Sequence, residues 1–66
     1  MDIFRGKVIE IKEGVVIAKV RIDIGGGFLI THTIMIDDVL DLDITVGDEV
    51  CTLIKGDSVR LMKELS

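Results

Sequence analysis

The sequence is poor in the residues that small proteins use as cross-links or stacking groups. Its 66 residues include one cysteine and two phenylalanines, with no proline, tryptophan or tyrosine. The lone Cys51 excludes an internal disulfide framework and is typical of proteins kept in a reducing cytosol. Cys51 and the single histidine, His32, are too few for the four-ligand set of a structural zinc site. Neither disulfides nor a metal ion are therefore expected to stabilise the fold.

Long apolar runs are missing as well. Charged residues interrupt every hydrophobic stretch well before the ~18 residues that a membrane-spanning helix needs. The first residues, 1–7, lack the basic region and the apolar core of a signal peptide. We therefore expect a cytoplasmic protein that does not associate with a membrane.

Positive charge is in short supply. Eight Lys and Arg residues stand against 12 Asp and Glu residues, which gives a formal charge of −4. Proteins that bind single-stranded nucleic acids combine a basic groove with stacking aromatic side chains. With an acidic balance and only Phe4 and Phe28 for stacking, the chain is not expected to bind nucleic acid.

Apolar residues, in contrast, are abundant. They make up 48% of the chain, and the mean hydropathy is +0.55. A domain of this length buries only about 60% of the surface of its unfolded chain and usually needs further stabilisation. Because one small core cannot hide this much apolar surface, we expect a homo-oligomer.

The apolar residues alternate with polar ones, which is typical of half-buried β-strands, and glycines separate the runs. This pattern predicts five strands, at residues 7–12, 15–24, 28–36, 49–55 and 58–63. Because a strand follows Gly25-Gly26-Gly27, these glycines predict a hairpin rather than a phosphate-binding loop. Further turns are predicted at Val46-Gly47-Asp48 and Gly56-Asp57.

One helical turn is predicted at residues 37–42, between the third and fourth strands. Asp37 or Asp38 is expected to cap its free N–H groups. Its apolar side chains are expected to face the core (Val39, Leu40 and Leu42). The predicted fold is an all-β, five-stranded, OB-like barrel with this one helical turn, as a single domain over residues 1–66.

Few side chains suggest chemistry. We interpret His32 as a packed residue, with an interface role or a ligand contact as alternatives. Cys51 is interpreted as a small hydrophobic residue that points inward with Leu53, since its local sequence holds no basic partner for a nucleophile. The acidic cluster lacks the pattern of a calcium loop and is interpreted as a cap and a solvated face (Asp37, Asp38, Asp41 and Asp43). No catalytic arrangement stands out, so we expect no enzymatic activity.

Three runs of the sequence resemble the molbindins, also called molybdenum-pterin-binding proteins, which consist of a single TOBE domain. The runs are IMIDDVLDLD at residues 34–43, VGDEV at 46–50 and LIK at 53–55. The opening GKVI at residues 6–9 and the Gly25-Gly26 turn also fit, so that the resemblance covers residues 6–63. It implies a hexamer, a trimer of dimers with exchanged strands. It also implies cytoplasmic storage of molybdate or tungstate at subunit interfaces.

The resemblance also implies a set of oxyanion-binding residues. Lys55-Gly56 matches the family's lysine followed by a small residue, and the Gly56 amide and the Ser58 hydroxyl would be further donors. The family's Ser-x-Arg-Asn segment before the first strand is absent, and Arg5 would supply a cation from a position that does not match. Thr31 and Thr33, on the polar side of the third strand, would donate at a different interface site.

Three departures from the family pattern leave alternatives open. Met35 replaces a family threonine, Asp38 replaces a serine, and Asp57 stands where serine or threonine is common. A carboxylate beside a bound dianion is repelled by it, the more strongly the less water is present. The chain is therefore either an oxyanion-binding protein or a TOBE-fold oligomerisation or interaction module with weakened or altered ligand binding. An altered site could also prefer a cation or another anion.

Overall fold

The computed structural model describes residues 2–63 and contains five strands and one short helix. The elements are β1 (Asp2–Glu13), β2 (Ile17–Gly25), β3 (Phe28–Met35), α1 (Ile36–Leu42), β4 (Glu49–Lys55) and β5 (Ser58–Lys63). The predicted OB-like fold of five strands and one helical turn is confirmed. Residues 1 and 64–66 of the predicted domain lie outside the described residues. No helix within residues 2–63 is long and apolar enough to span a bilayer.

All strand pairs are antiparallel, in the order β3-β2-β1-β4-β5. The central strand, β1, begins at Asp2 rather than at the predicted Lys7, because its first half pairs with β4. Its second half pairs with β2. Within the described chain β3 and β5 remain the edges of the sheet, which curls into a half-barrel.

The inner face of the half-barrel carries the core. On β2, the buried Ala18, Val20 and Ile22 alternate with exposed charged residues, as predicted. The full core set is Val8, Ala18, Val20, Ile22, Val39, Ile44, Val50 and Leu61. The predicted start of the second strand is wrong, because Val15 and Val16 precede β2 and are exposed.

A β-bulge in β1 reverses the direction of its side chains. Val8 pairs with Ile22 and Glu10 with Arg21, so that Ile9 is an extra residue with no partner. Before the bulge the inward side chains of β1 are those of even-numbered residues, such as Val8. After the bulge they are those of odd-numbered residues, such as Ile11. The bulge therefore sends Glu10 and Lys12 to the outer face of the sheet, where Lys7 also lies.

Two predictions about α1 are wrong. The helix begins one residue earlier than predicted, so that the N-cap is Met35, with no side-chain capping bond. Asp37 and Asp38 lie in the first turn instead, where their negative charges are attracted by the positive end of the helix dipole. Leu40 is 70% exposed. Val39 is the buried residue of the helix, and its neighbour Leu40 is rotated away from the core.

The predicted inward direction of Cys51 is also wrong. Val50 and Thr52 are the buried residues of β4, since they pair with Gly6 and Phe4 on the inner face. Cys51 and Leu53 are half-buried on the outer face. The outer face of β4 is therefore more apolar than its alternation predicts.

The end of β5 is tied to the connection between α1 and β4. Lys63 Nζ donates to the Asp43 carbonyl (2.8 Å) and lies 3.1 Å from Asp48 Oδ2. The same carboxylate accepts a hydrogen bond from the Thr45 backbone N–H (2.9 Å). This backbone hydrogen bond, followed by that of Lys63, lowers the pKa of Asp48 below its ordinary value. Lys63 thus holds the segment between α1 and β4 near its start, at Asp43, and near its end, at Asp48.

Candidate functional site

The β4–β5 hairpin turns through two residues, Gly56 and Asp57. Gly56 has a φ of +58°, while Asp57 is not among the residues with positive φ. This is the φ pattern of a type II′ turn, whose first central position favours glycine. Because the turn is so tight, Lys55 and Ser58 pair directly across it and share one face.

A depression of about 340 Å³ lies on this face of the hairpin, lined by Leu53, Lys55, Ser58 and Arg60. These residues form two adjacent cross-strand pairs, Lys55 with Ser58 and Leu53 with Arg60. The structure thus brings two of the predicted site residues, Lys55 and Ser58, together. Gly56 forms the turn and does not line the depression.

Arg60 is the lining residue that the sequence interpretation missed. It lies two residues after Ser58 on β5, and residues two apart on a strand share a face. That spacing is the signal that could have identified it. Arg60 adds a planar guanidinium with several donors to the point charge of Lys55 and the Ser58 hydroxyl.

The two carboxylates that put the site in doubt are placed elsewhere. The lining set of the depression, among the described residues, contains neither Asp38 nor Asp57. Asp38 lines a separate groove of about 390 Å³ between α1 and β5, on the other side of Arg60. The depression itself therefore carries two positive charges and no carboxylate of residues 2–63.

Arg5 is not brought to this depression within one chain. It pairs with Cys51, four residues along β4 from Lys55, which is about 13 Å at the usual rise of a strand. It lines a different depression with Gly6, Lys7 and Glu49. Within one chain, Arg5 and Lys55 therefore line separate depressions.

Thr31 and Thr33 are also remote from the hairpin. They lie on the outer face of β3, at the opposite edge of the strand order, and pair with Arg21 and Lys19 on β2. The structure therefore separates the predicted residues into three groups. These are the hairpin residues, Arg5, and the two threonines.

His32 is buried, with 6% of its surface exposed, as its interpretation as a packed residue predicts. Its Nε2 has no hydrogen-bond partner in the described structure. Burial lowers the pKa of His32, because desolvation disfavours the charged ring. Within residues 2–63 no three His, Cys, Asp or Glu residues are grouped to hold a metal ion.

An apolar strip runs along the outer face of the sheet toward the hairpin depression. It comprises Ile3, Cys51, Leu53 and Met62, which are cross-strand or near neighbours on β1, β4 and β5. Ile3 and Met62 are each about half exposed, at 55% and 50%. Such a contiguous apolar surface next to a charged site is typical of a protein–protein contact.

Known proteins resemble this chain over most of its length. The family model for the TOBE domain matches residues 2–61. The "Probable molybdenum-pterin-binding protein" of Haemophilus influenzae is 44% identical over 86% of this chain and 83% of its own. "Molybdenum-pterin-binding protein 3" of Clostridium pasteurianum is 36% identical over 88% of this chain and 85% of its own.

A solved structure agrees with these relatives. The structure of "MopII from Clostridium pasteurianum (apo2)" is similar with a TM-score of 0.78 and 39% sequence identity. The match covers 82% of this chain and 81% of that one.

Proposed function

This chain belongs to the TOBE-domain family, and on that premise we propose that it binds molybdate- or tungstate-type oxyanions and catalyses no reaction. The relatives that it matches over most of its length carry the name of molybdenum-pterin-binding proteins. The observation that carries the proposal is the convergence of Lys55, Ser58 and Arg60 on one depression.

The chemistry of this depression suits a tetrahedral dianion. Two cations balance two negative charges, and hydrogen bonds from charged donors are about twice as strong as neutral ones. The guanidinium of Arg60 can donate two parallel bonds, while the ammonium of Lys55 and the hydroxyl of Ser58 complete the shell. The acidic charge of the whole chain does not prevent this, since the local potential decides.

We place the bound oxyanion at the interface between subunits of a homo-oligomer. In a single chain Lys55 and Arg60 are exposed, and water would screen their attraction for an anion. A second chain that covers the apolar strip of Ile3, Cys51, Leu53 and Met62 would exclude this water. Electrostatic attraction strengthens as water is removed, so assembly and binding support each other.

The expected assembly is a hexamer, a trimer of dimers with exchanged strands. The edges of the half-barrel, β3 and β5, leave backbone donors and acceptors for a neighbouring strand. The groove between α1 and β5 offers a further contact surface, where apolar residues such as Ile34, Leu42 and Val59 lie beside the charged Asp38, Asp41 and Arg60. In the cell, such an assembly would act in the cytoplasm as a store or buffer of oxyanions.

Native mass spectrometry in the presence of molybdate, tungstate or sulfate tests this proposal. We expect a hexamer that gains several molybdate or tungstate ions and does not gain sulfate. A hexamer that stays empty would favour the alternative, an interaction module that has kept the fold and lost the ligand. A monomer would contradict the proposed assembly.

Replacing Lys55 by alanine tests the site itself. We expect Lys55→Ala to abolish molybdate binding and to leave the oligomer intact, because the exposed side chain contributes charge rather than packing. Lys7→Ala is the matched control, since it removes the same charge from the same outer face of the sheet but outside the hairpin depression. Binding by Lys55→Ala at the affinity of the parent would show that the site is misassigned.

A further inference from the structure

A second cationic depression lies on the outer face of β1, β2 and β3, away from the hairpin. It has a volume of about 250 Å³ and is lined by Glu10, Lys12, Lys19, Arg21 and Thr31. None of these residues lines the depression of Lys55, Ser58 and Arg60. Thr31 is expected from the sequence to donate to an oxyanion at an interface, but neither the family resemblance nor the proposed function gives the four charged residues a role.

The strand register arranges these side chains in two short rows. Glu10 pairs with Arg21, which pairs with Thr31 on β3. Lys12 pairs with Lys19, which pairs with Thr33. Residues that are directly paired share one face, and neighbouring strands lie about 4.8 Å apart. Three cations and the hydroxyl of Thr31 therefore line one small depression.

The bulge at Ile9 is what creates this grouping. Val8 points inward, so an uninterrupted strand would direct the residues at positions 10 and 12 into the core. The extra residue turns Glu10 and Lys12 outward, opposite Arg21 and Lys19. Bulges commonly re-aim side chains next to functional sites.

The charges in this depression are poorly balanced by the protein. Arg21 has one partner, Glu10, whose Oε1 lies 3.6 Å from its guanidinium. Lys12 and Lys19 face each other directly, and neither is paired with a carboxylate of residues 2–63. Like charges at directly opposite positions destabilise a sheet. Three cations and one carboxylate leave a local charge of +2 in a chain whose formal charge is −4.

We propose that this face of β1, β2 and β3 is a second anion site, which binds a phosphate group. A phosphate group carries about −1.5 to −2 elementary charges at neutral pH, which the local charge of +2 offsets. Arg21 provides the planar fork that matches two phosphate oxygens, and Lys12 and Lys19 provide point charges. The hydroxyl of Thr31 donates to a remaining oxygen. Inorganic phosphate and a phosphate monoester share this chemistry, and either is a ligand of the class.

The local charge of +2 in the depression matches one phosphate group. The two rows are about 7 Å apart along the strands, a distance that flexible lysine side chains close over a single tetrahedral ion. Glu10 at one end of the row repels any further negative charge. The site is therefore separate from the hairpin site in its residues and its location.

Titrations followed by amide chemical shifts test this site in the complete protein. The probes are inorganic phosphate and glycerol 3-phosphate, with sodium chloride at matched ionic strength as a control for screening. We expect saturable shifts at residues 10–12, 19–21 and 31–33 with both phosphates and none with chloride. Tighter binding of glycerol 3-phosphate would assign the site to a phosphorylated compound, and equal binding would assign it to free phosphate. Shifts of equal size with chloride would overturn the proposal.

Two variants separate this site from the hairpin site. Replacing both lysines, Lys12→Gln with Lys19→Gln, is expected to weaken phosphate binding at least tenfold, because two of the three cations are lost. The same variant should keep the molybdate-induced amide shifts of residues 53–60 at the hairpin depression, whereas Lys55→Ala should lose those shifts and keep the phosphate-induced shifts of residues 10–12, 19–21 and 31–33. Both lysines are exposed, so a melting curve checks that the fold is kept. Unchanged phosphate affinity in the double variant would overturn the proposal and leave the hairpin site unaffected.

Discussion

At the scale of single residues, the turn Gly56-Asp57 determines the chemistry of the hairpin depression. Because the turn has two residues, Lys55 faces Ser58, and Arg60 follows on the same face of β5. Asp57 shares the turn but not the depression. The Asp57 carboxylate therefore lies outside the lining of the proposed oxyanion site, which the sequence alone could not decide.

Arg60 is expected to contribute to oxyanion binding almost as strongly as Lys55. Hydrogen bonds to charged groups contribute about 1.5–3 kcal/mol, which corresponds to a loss of at least tenfold in affinity for Arg60→Ala. Arg60→Lys should recover part of this loss, since it keeps the charge but not the fork. Calorimetric titration with molybdate measures both variants. Equal affinities of parent and Arg60→Ala would remove Arg60 from the site.

His32 is expected to make the stability of the protein depend on pH. Burial lowers its pKa in the folded state, whereas the unfolded chain takes up a proton near pH 6.5. Protonation thus favours the unfolded state, and the free energy of unfolding should fall as the pH drops below about 6.5. The fall continues until the lowered pKa of the folded state is reached, with a slope of at most about 1.4 kcal/mol per pH unit.

Urea unfolding of the parent and of His32→Leu between pH 7.5 and pH 5 measures this effect. The variant should lack this part of the pH dependence, so that its stability relative to the parent rises as the pH falls. It also removes the buried Nε2 that has no hydrogen-bond partner. Parallel curves for the two proteins would mean that His32 does not carry the dependence.

At the scale of the elements, β1 shows what a pattern of alternation can and cannot predict. The alternation at Ala18, Val20 and Ile22 identifies β2 and its inward face correctly. In β1 the bulge at Ile9 inserts one residue, and the sequence pattern gives no separate sign of it. The early start of β1 at Asp2 depends on pairing with β4, which is a tertiary contact. Local patterns therefore identified the strands, while pairing determined their ends and faces.

The opposed lysines of β1 and β2 are expected to destabilise the sheet in the absence of an anion. Replacing Lys19 by glutamate places opposite charges across from each other and should raise the free energy of unfolding by about 0.2–1 kcal/mol. Lys7 is the control, because it pairs with two acidic residues, Asp23 on β2 and Glu49 on β4. Lys7→Glu should therefore lower stability.

Denaturant unfolding at low and high salt measures these two charge reversals. Both effects should shrink in 1 M salt, since exposed charges are screened beyond about 3 Å there. A destabilised Lys19→Glu at low salt would mean that the two lysines are not opposed in solution.

At the scale of the whole molecule, the fold and the proposed assembly depend on different residues. The family resemblance and the glycine-separated strands together predict the half-barrel, and the structure and the TOBE relatives agree with it. The proposed assembly rests on the apolar surface that stays exposed in a single chain, namely the strip of Ile3, Cys51, Leu53 and Met62. The sequence could not identify this strip, because its prediction turned Cys51 and Leu53 toward the core. Only the register of β4 against Gly6 and Phe4 places them outside.

If the apolar strip is the subunit interface, a charge on it should prevent assembly and weaken the oxyanion site together. Ile3→Glu places a carboxylate opposite Leu53, at a half-exposed position that does not line the depression. We expect native mass spectrometry to show a smaller species and calorimetry to show weaker molybdate binding, because water would then reach Lys55 and Arg60. Val15→Glu, in the exposed loop after β1, is the matched control and should leave both properties unchanged. A dissociated Ile3→Glu that still binds molybdate like the parent would show that one chain forms the complete site.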